Sequence, residues 1–201
     1  MKLKTKLSGT TYQFKDIKDV LAKANEEKSG DMLLGIGAGT VSERIAAKVV
    51  LSELTLEDLR KNPAIPYEED EVTRVIDDLV NESIYNEIKN WTVGYLREYI
   101  LDHRTSGKQI KRISRGMTSE MVAGVAKLMS NMDLVYGGSK IRVTGKCNYE
   151  IGKAGTLSFR LQPNHPSDDI DGILASIMEG LSYGCGDAVI GINPVEDTVE
   201  N

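Results

Sequence analysis

Three consecutive segments decide the fold: GTLSFRLQPN (155–164), SDDIDGILASIMEGLSYG (167–184) and DAVIGINP (187–194). The first alternates β-forming and polar residues and ends in polar residues and a proline, as strands often do. The second places apolar residues on one helical face and has two aspartates in its first turn. The third is a nearly unbroken apolar run, which predicts a parallel strand buried on both faces. Together they predict one βαβ unit.

The residues before this unit predict helices and turns, and then short strands. Apolar spacing and capping residues predict helices over the following ranges: 12–28, 42–53 with Ser42 as cap, a short one opened by Thr55 and Asp58, 67–81, 93–102 with Thr92 as cap, and 118–133. Residues 103–116 are polar and cationic and predict a turn region. Short β-type runs follow over 140–152. We therefore expect an α/β fold with a helical region at 1–115 and a second region at 116–201.

Composition excludes several classes of protein. With 201 residues and 40% apolar content, the chain has the composition of a soluble globular protein. Its net charge of −5, without a basic stripe, argues against nucleic acid as a partner. No apolar run approaches the roughly 20 residues that span a bilayer, and no signal peptide is evident, so we expect no membrane segment and a cytoplasmic location. Cys147 and Cys185 are far apart and predict reduced thiols.

Other motifs have simpler explanations than a functional site. GIGAG (35–39) resembles a dinucleotide-binding turn, but its spacing is not GxGxxG, and an interhelical turn explains it better. His103 and His165 have no partner in a recognised ligand arrangement, which favours surface or turn positions and no metal site. Trp91 and Tyr95 are interpreted as packing residues.

Polar side chains end the first strand and follow the second. Because parallel strands end at the same edge of a sheet, Arg160 and Gln162 should lie near Asn193. Side chains alternate, so Leu161 faces the other way. The three polar groups offer donors and acceptors to a compact polar ligand but no nucleophile, as in a site where a cofactor performs the difficult chemistry. The same sequence pattern would also arise if these polar residues only formed turns, or if Arg160 were a surface or ion-paired side chain.

The chain resembles the large subunit family of ethanolamine ammonia-lyases throughout its length. The segments that carry the resemblance are YQFKDIKDVLAKANEEKSGD (12–31), SERIAAKVVLSELTLEDLRKNP (42–63), IKNWTVGYLREYIL (88–101), MTSEMVAGVAKLMSNMDLVYG (117–137), FRLQPNHPSDDI (159–170) and GLSYGCGDAVIGINPVEDTVEN (180–201).

This resemblance implies a helical region followed by the first strands of a TIM-type (β/α)8 barrel, with adenosylcobalamin at the barrel mouth. It implies a catalytic and substrate-binding role for Arg160, substrate contacts from Leu161, Gln162 and Asn193, and a main-chain contact with the cobalamin at Pro194. No DxHxxG pattern is present, so the family's cobalamin is expected to keep its own base.

The implied reaction converts ethanolamine to acetaldehyde and ammonia through an adenosyl radical. The implied partners are the small subunit and further copies of the large subunit, in a bacterial microcompartment. Because the family's subunit continues beyond residue 201, we expect a truncated barrel that is inactive alone. The alternative is a non-catalytic helical assembly module of the same subunit.

Overall fold

The computed structural model describes residues 2–146, 150–186 and 189–195, and the chain divides into two compact units, Met1–Ile141 and Arg142–Asn201. The described structure is mixed helix and strand, with small sheets and no closed barrel. The boundary predicted between residues 115 and 116 separates the helical region from the start of a barrel. Because it concerns the barrel rather than these compact units, it stays a prediction. Within the described residues, no helix has the length and apolar composition required to cross a bilayer.

The first unit begins with a β hairpin and continues in helices. Strand β1 (Lys4–Leu7) pairs antiparallel with β2 (Thr10–Gln13). The helices described in this unit are α1 (Ile17–Lys23), α2 (Ser29–Leu33), α3 (Val41–Glu53), α4 (Leu56–Arg60), α5 (Glu71–Asp78), α6 (Glu82–Ile88), α7 (Val93–Leu101), α8 (Gly107–Ser114), α9 (Ser119–Leu128) and α10 (Asn131–Lys140).

The core of the first unit lies where α1, α3, α4, α7 and α9 converge. Apolar side chains spaced three and four residues apart on each helix face this core, because such spacing places them on one side of a helix. Its fully buried large residues include Ile17, Val20, Val50, Leu51, Leu56, Leu59, Ile88, Val93, Leu96 and Met121. Trp91 packs beside it, with ring centroids 4.9 Å from those of Tyr95 and Tyr99. The interpretation of Trp91 and Tyr95 as packing residues agrees with these contacts.

Several helix starts agree closely with the sequence prediction. The Thr55 hydroxyl accepts from Asp58 N at 3.0 Å while the Asp58 carboxylate accepts from Thr55 N at 3.0 Å, so α4 opens with the predicted capping box. Thr92 caps α7 by accepting from Tyr95 N at 3.0 Å. Helix α3 is an exception, because the predicted cap was Ser42 and the observed cap is Thr40. The Thr40 hydroxyl accepts from Glu43 N.

Several regions of the first unit differ from the prediction, and one of them is the helix predicted over 118–133, which is interrupted at 129–130 and forms α9 and α10. Thr10–Gln13 forms a strand where a helix was predicted from Tyr12, because Ser8 and Gly9 adopt positive φ angles of 47° and 86° and turn the chain into a hairpin. The predicted turn region at 103–116 contains α8, which a Ser106–Gln109 capping box opens. The predicted helix at 67–81 is shorter, ending as α5 at Asp78.

The second unit contains the predicted strand and helix elements in short form. Strands β3 (Gly145–Lys146) and β4 (Glu150–Ile151) pair antiparallel, and β5 (Arg160–Leu161), α11 (Ile170–Ser182) and β6 (Val189–Ile190) follow. Val189 and Ile190 are each 42% exposed, so the prediction of burial on both faces is wrong for these residues. The reason is that, among the described residues, β5 and β6 pair with each other in a two-stranded sheet.

Candidate functional site

The predicted βαβ unit is confirmed, and it sets the geometry of the candidate site. Strands β5 and β6 are parallel, with Arg160 opposite Val189 and Leu161 opposite Ile190. The pairing continues past the strands, where Gly191 N donates to Leu161 O at 2.9 Å. Because parallel strands end at the same edge, the segments that follow Leu161 and Ile190 both leave from this edge.

Arg160 lies on the face of the sheet that also carries residue 191. Its guanidinium is so close to the main chain of Gly191 that a Cβ atom there would lie 2.7 Å from Nε and would overlap Nη2. The absence of a side chain at Gly191 therefore makes room for the guanidinium. Arg160 remains exposed to solvent, so its donors are available to a ligand at this edge.

Leu161 faces the opposite side, as side-chain alternation predicts. A Cβ atom at Gly180 of α11 would lie 2.7 Å from Leu161 Cδ2, and one at Gly186 would lie 3.2 Å from the same atom. Leu161 thus packs β5 against the end of α11. The substrate contact predicted for Leu161 stays a prediction, and this packing favours its main chain over its side chain.

Gln162, Asn193 and Pro194 lie beyond the strand ends, and all three are exposed. Pro163 is buried directly after Gln162 and fixes the path on which the chain leaves the sheet. The guanidinium of Arg160 lies against the main chain of Gly191. The segment that carries Asn193 and Pro194 continues from Gly191. The binding roles of these residues stay predictions.

Asp168 was not among the predicted site residues, yet it joins the two segments that leave the edge. Its carboxylate oxygens accept from Val195 N at 2.8 and 3.1 Å, across 27 residues of chain. The sequence suggested only that Asp168 and Asp169 interact with the start of α11. Asp169 does cap the helix, accepting from Gly172 N at 2.8 Å, whereas Asp168 reaches the other segment. The sequence offers no local signal for a contact at that separation.

His165 is a turn residue, in agreement with its interpretation from the sequence. Its Nδ1 lies 3.1 Å from the Ser167 hydroxyl and accepts from Asp169 N at 3.4 Å. The other side of the ring lies against Gly172, where a Cβ atom would be 3.0 Å from Nε2. His165 therefore packs the turn against the first turn of α11. Cys185 is unpaired, and Cys147 lies outside the described residues.

The first unit has a separate cavity of about 370 Å³ beside α4, α5 and the start of α9. Arg60 lines it and binds Glu82 at 2.6 Å and Asp77 at 2.9 Å, with its guanidinium 4.3 Å from the ring centroid of Tyr85. The hydrogen bond to Arg60 lowers the pKa of Glu82 below its ordinary value. None of the predicted site residues lines this cavity.

The fold and the edge residues define a class first: an α/β protein with two parallel strands, in which an arginine and two carboxamides lie at or just beyond the ends of the strands. Comparison with known proteins then identifies the family. The family model described as ethanolamine ammonia lyase large subunit (EutB) matches residues 12–201. All 201 residues align with the ethanolamine ammonia-lyase large subunit of Salmonella typhimurium strain LT2 at 60% identity and with that of Escherichia coli K12 at 59%. The chain belongs to the ethanolamine ammonia-lyase large subunit family, and it spans 44% of the length of these relatives.

Proposed function

We propose that this chain supplies part of the substrate site of an adenosylcobalamin-dependent ethanolamine ammonia-lyase, which converts ethanolamine to acetaldehyde and ammonia. The observation that carries the proposal is the placement of Arg160 over Gly191, at the edge from which Gln162 and Asn193 extend. Membership of the family supports the reaction. A TIM-type barrel, of which β5, α11 and β6 are one βαβ unit, is the architecture that we propose for the whole subunit.

Each polar residue has a role that follows from its chemistry. Arg160 donates to the substrate hydroxyl and stabilises negative character on that oxygen, because its charge is permanent and its donors are fixed in direction. Gln162 and Asn193 orient the hydroxyl and amino groups, since a carboxamide both donates and accepts without titrating near neutral pH. When bound, adenosylcobalamin supplies the carbon radical that removes hydrogen from the substrate.

The residues near Pro194 fit contact with part of a large amphipathic coenzyme. Ile192 and Val195 beside it are 53% and 63% exposed, which provides apolar surface on both sides of an exposed main chain. The ring of His165 is engaged by the turn at Nδ1 and packed against Gly172 on its other side. Ile192, Pro194 and Val195 would therefore contact the coenzyme, and His165 would not ligate its cobalt.

A second function, assembly, is favoured by the first unit. Its buried apolar core runs from Phe14 to Val125 and contains none of the proposed site residues. Helix α10 exposes Met132 at 74% and Val135 at 65%, which suits contact with another protein surface. We propose that this unit contributes to contacts with the small subunit or with further large subunits. A location in a bacterial microcompartment is part of the same proposal.

The test uses a full-length large subunit that contains these 201 residues, assembled with the small subunit and adenosylcobalamin. Acetaldehyde release from ethanolamine is compared between the parent enzyme, Arg160→Ala and the control Arg104→Ala. Arg104 is a suitable control because its side chain is 78% exposed and its ion pair within the described residues is with Asp102, two positions away. Loss of activity in Arg160→Ala alone supports the proposal. Equal activity in all three contradicts the role of Arg160, and an inactive parent enzyme contradicts the proposed function.

A further inference from the structure

The segment that carries Asn193 and Pro194 is anchored on both sides. Before it, Gly191 N donates to Leu161 O at 2.9 Å, which holds the chain to β5. After it, Val195 N donates to Asp168 Oδ1 at 2.8 Å. Between the two anchors, Pro194 has no N–H and a restricted φ, so few conformations remain for Asn193. Asp168 therefore supplies one of the two contacts that restrict the main chain around Asn193.

Asp168 is held in a costly backbone conformation. Its φ angle is +52°, in the left-handed region, and Ser8 is the other non-glycine residue with positive φ in the described part of the chain. The positive φ of Ser8 belongs to the turn of the β1–β2 hairpin, whereas Asp168 lies in no hairpin. Aspartate tolerates this conformation better than most residues, and such outliers persist where the surroundings determine them.

The turn that carries Asp168 is fastened to α11. Asp168 N donates to His165 O at 3.1 Å, and His165 Nδ1 accepts from Asp169 N at 3.4 Å. Asp169 in turn caps the helix by accepting from Gly172 N. These contacts connect the turn of Asp168 to α11, and the Asp168 carboxylate connects the turn to the segment after β6. The 3.4 Å contact between Asp169 N and His165 Nδ1 is the longest of them.

We propose that Asp168 is a positioning residue for Asn193: its carboxylate holds the main chain of Val195 and thereby places the Asn193 carboxamide at the substrate. This role rests on the proposed function of the site. Asp168 acts through Asn193 and does not itself touch substrate. A purely structural role in the turn would also explain the contact with Val195, and the experiment must separate the two.

Two substitutions at Asp168 test whether its acceptor oxygen is needed. Asp168→Gly keeps access to the left-handed conformation and removes the acceptor. Asp168→Asn keeps an acceptor oxygen in the same place and also tolerates positive φ. We expect Asp168→Gly to lower kcat/KM for ethanolamine by about 10- to 100-fold, as small misplacements of a positioned group do. Asp168→Asn should recover most of that loss.

The deciding measurement is a double-mutant cycle with Asn193→Ala, in the full-length large subunit with the small subunit and adenosylcobalamin. If Asp168 acts through Asn193, Asp168→Gly causes no further loss of kcat/KM once Asn193 is replaced. Ethanolamine binding by calorimetry should show the same dependence, and thermal unfolding checks that each variant is folded. Losses that multiply independently overturn the positioning role, as does an Asp168→Gly enzyme with parent activity. An inactive parent enzyme instead overturns the proposed function, and the role of Asp168 with it.

Discussion

The guanidinium of Arg160 occupies the space that a side chain at Gly191 would fill. Arg160 lies in β5 and Gly191 directly follows the parallel strand β6, on the same face, so the side chain of Arg160 extends over the main chain that leaves β6. Because the guanidinium is the far end of a flexible side chain, it can move aside when that space is filled. A substitution at Gly191 should therefore alter the site more than the fold.

Gly191→Ala tests this relationship. The added Cβ would overlap Nη2 of Arg160 and displace the guanidinium, so we expect kcat/KM for ethanolamine to fall by about 10- to 100-fold in the assembled enzyme. Thermal unfolding should change little. Gly145→Ala is the matched control, because nothing lies within 4 Å of a Cβ there. Unchanged kinetics in Gly191→Ala would show that this position of Arg160 is not needed for turnover.

Thr55→Ala should destabilise the first unit. The substitution removes the hydroxyl that accepts from Asp58 N and so breaks the capping box of α4. Loss of an N-cap costs about 1 kcal/mol of the free energy of unfolding, which urea denaturation of the full chain measures. Lys61→Ala, a change of a 68% exposed side chain at the other end of the helix, is the control. Equal denaturation midpoints for Thr55→Ala and the parent would contradict the role of the cap.

Gly116→Ala should also destabilise the first unit, for a different reason. A Cβ atom at residue 116 would lie 2.6 Å from Tyr85 N, and main-chain atoms cannot move aside as a flexible side chain can. Overpacking of this kind costs about 1 to 3 kcal/mol of unfolding free energy. Gly138→Ala serves as control, since a Cβ there meets nothing within 4 Å. The prediction fails if both variants unfold at the same urea concentration as the parent.

Arg60→Met should make the stability of the chain less dependent on acid pH. The hydrogen bond from Arg60 lowers the pKa of Glu82, so this carboxylate stabilises the fold at pH values above the ordinary titration range of glutamate, about pH 4. That contribution is lost as the pH falls through the lowered pKa. In Arg60→Met the hydrogen bond that lowers the pKa of Glu82 is absent, so protonation of Glu82 no longer removes this stabilisation. The free energy of unfolding should therefore decline less steeply between about pH 5 and pH 3.

The measurement is chemical denaturation of the full chain across this pH range. Lys108→Met, which removes an exposed cation that forms no ion pair within the described residues, is the control and should keep the slope of the parent. Equal slopes for Arg60→Met and the parent would show that the ion pair of Arg60 and Glu82 has no net effect on folding. Because Glu82 is 61% exposed, the difference should be small but measurable.

Sequence patterns predicted the elements that periodicity and caps determine. Helix α11 and the parallel pairing of β5 with β6 follow from apolar spacing and from the order of segments. The β1–β2 hairpin was missed because Tyr12 also fits a helical pattern, and only the Ser8–Gly9 turn distinguishes the two. Helix α8 was missed because its charged residues obscured the capping signal of Ser106 and Gln109.

The candidate site was predictable where it depends on neighbouring residues in sequence. Strand alternation correctly separates the side chain of Arg160 from that of Leu161. The space above Gly191 and the contact between Asp168 and Val195 were not predictable, because both join residues about 30 positions apart with no local pattern. Burial of Val189 was overestimated because an apolar run does not reveal how many strands lie beside it.

Val125 is the last residue in sequence of the buried apolar core described in the first unit, and it lies 35 residues before Arg160. During synthesis on the ribosome, the residues that form this core therefore emerge ahead of those at the edge of β5 and β6. Domains generally fold as units, with the earlier-synthesised part first. The first unit would then already be folded when Arg160, Asp168 and Asn193 are synthesised. Substitutions at these residues should therefore reduce turnover without reducing the yield of folded protein.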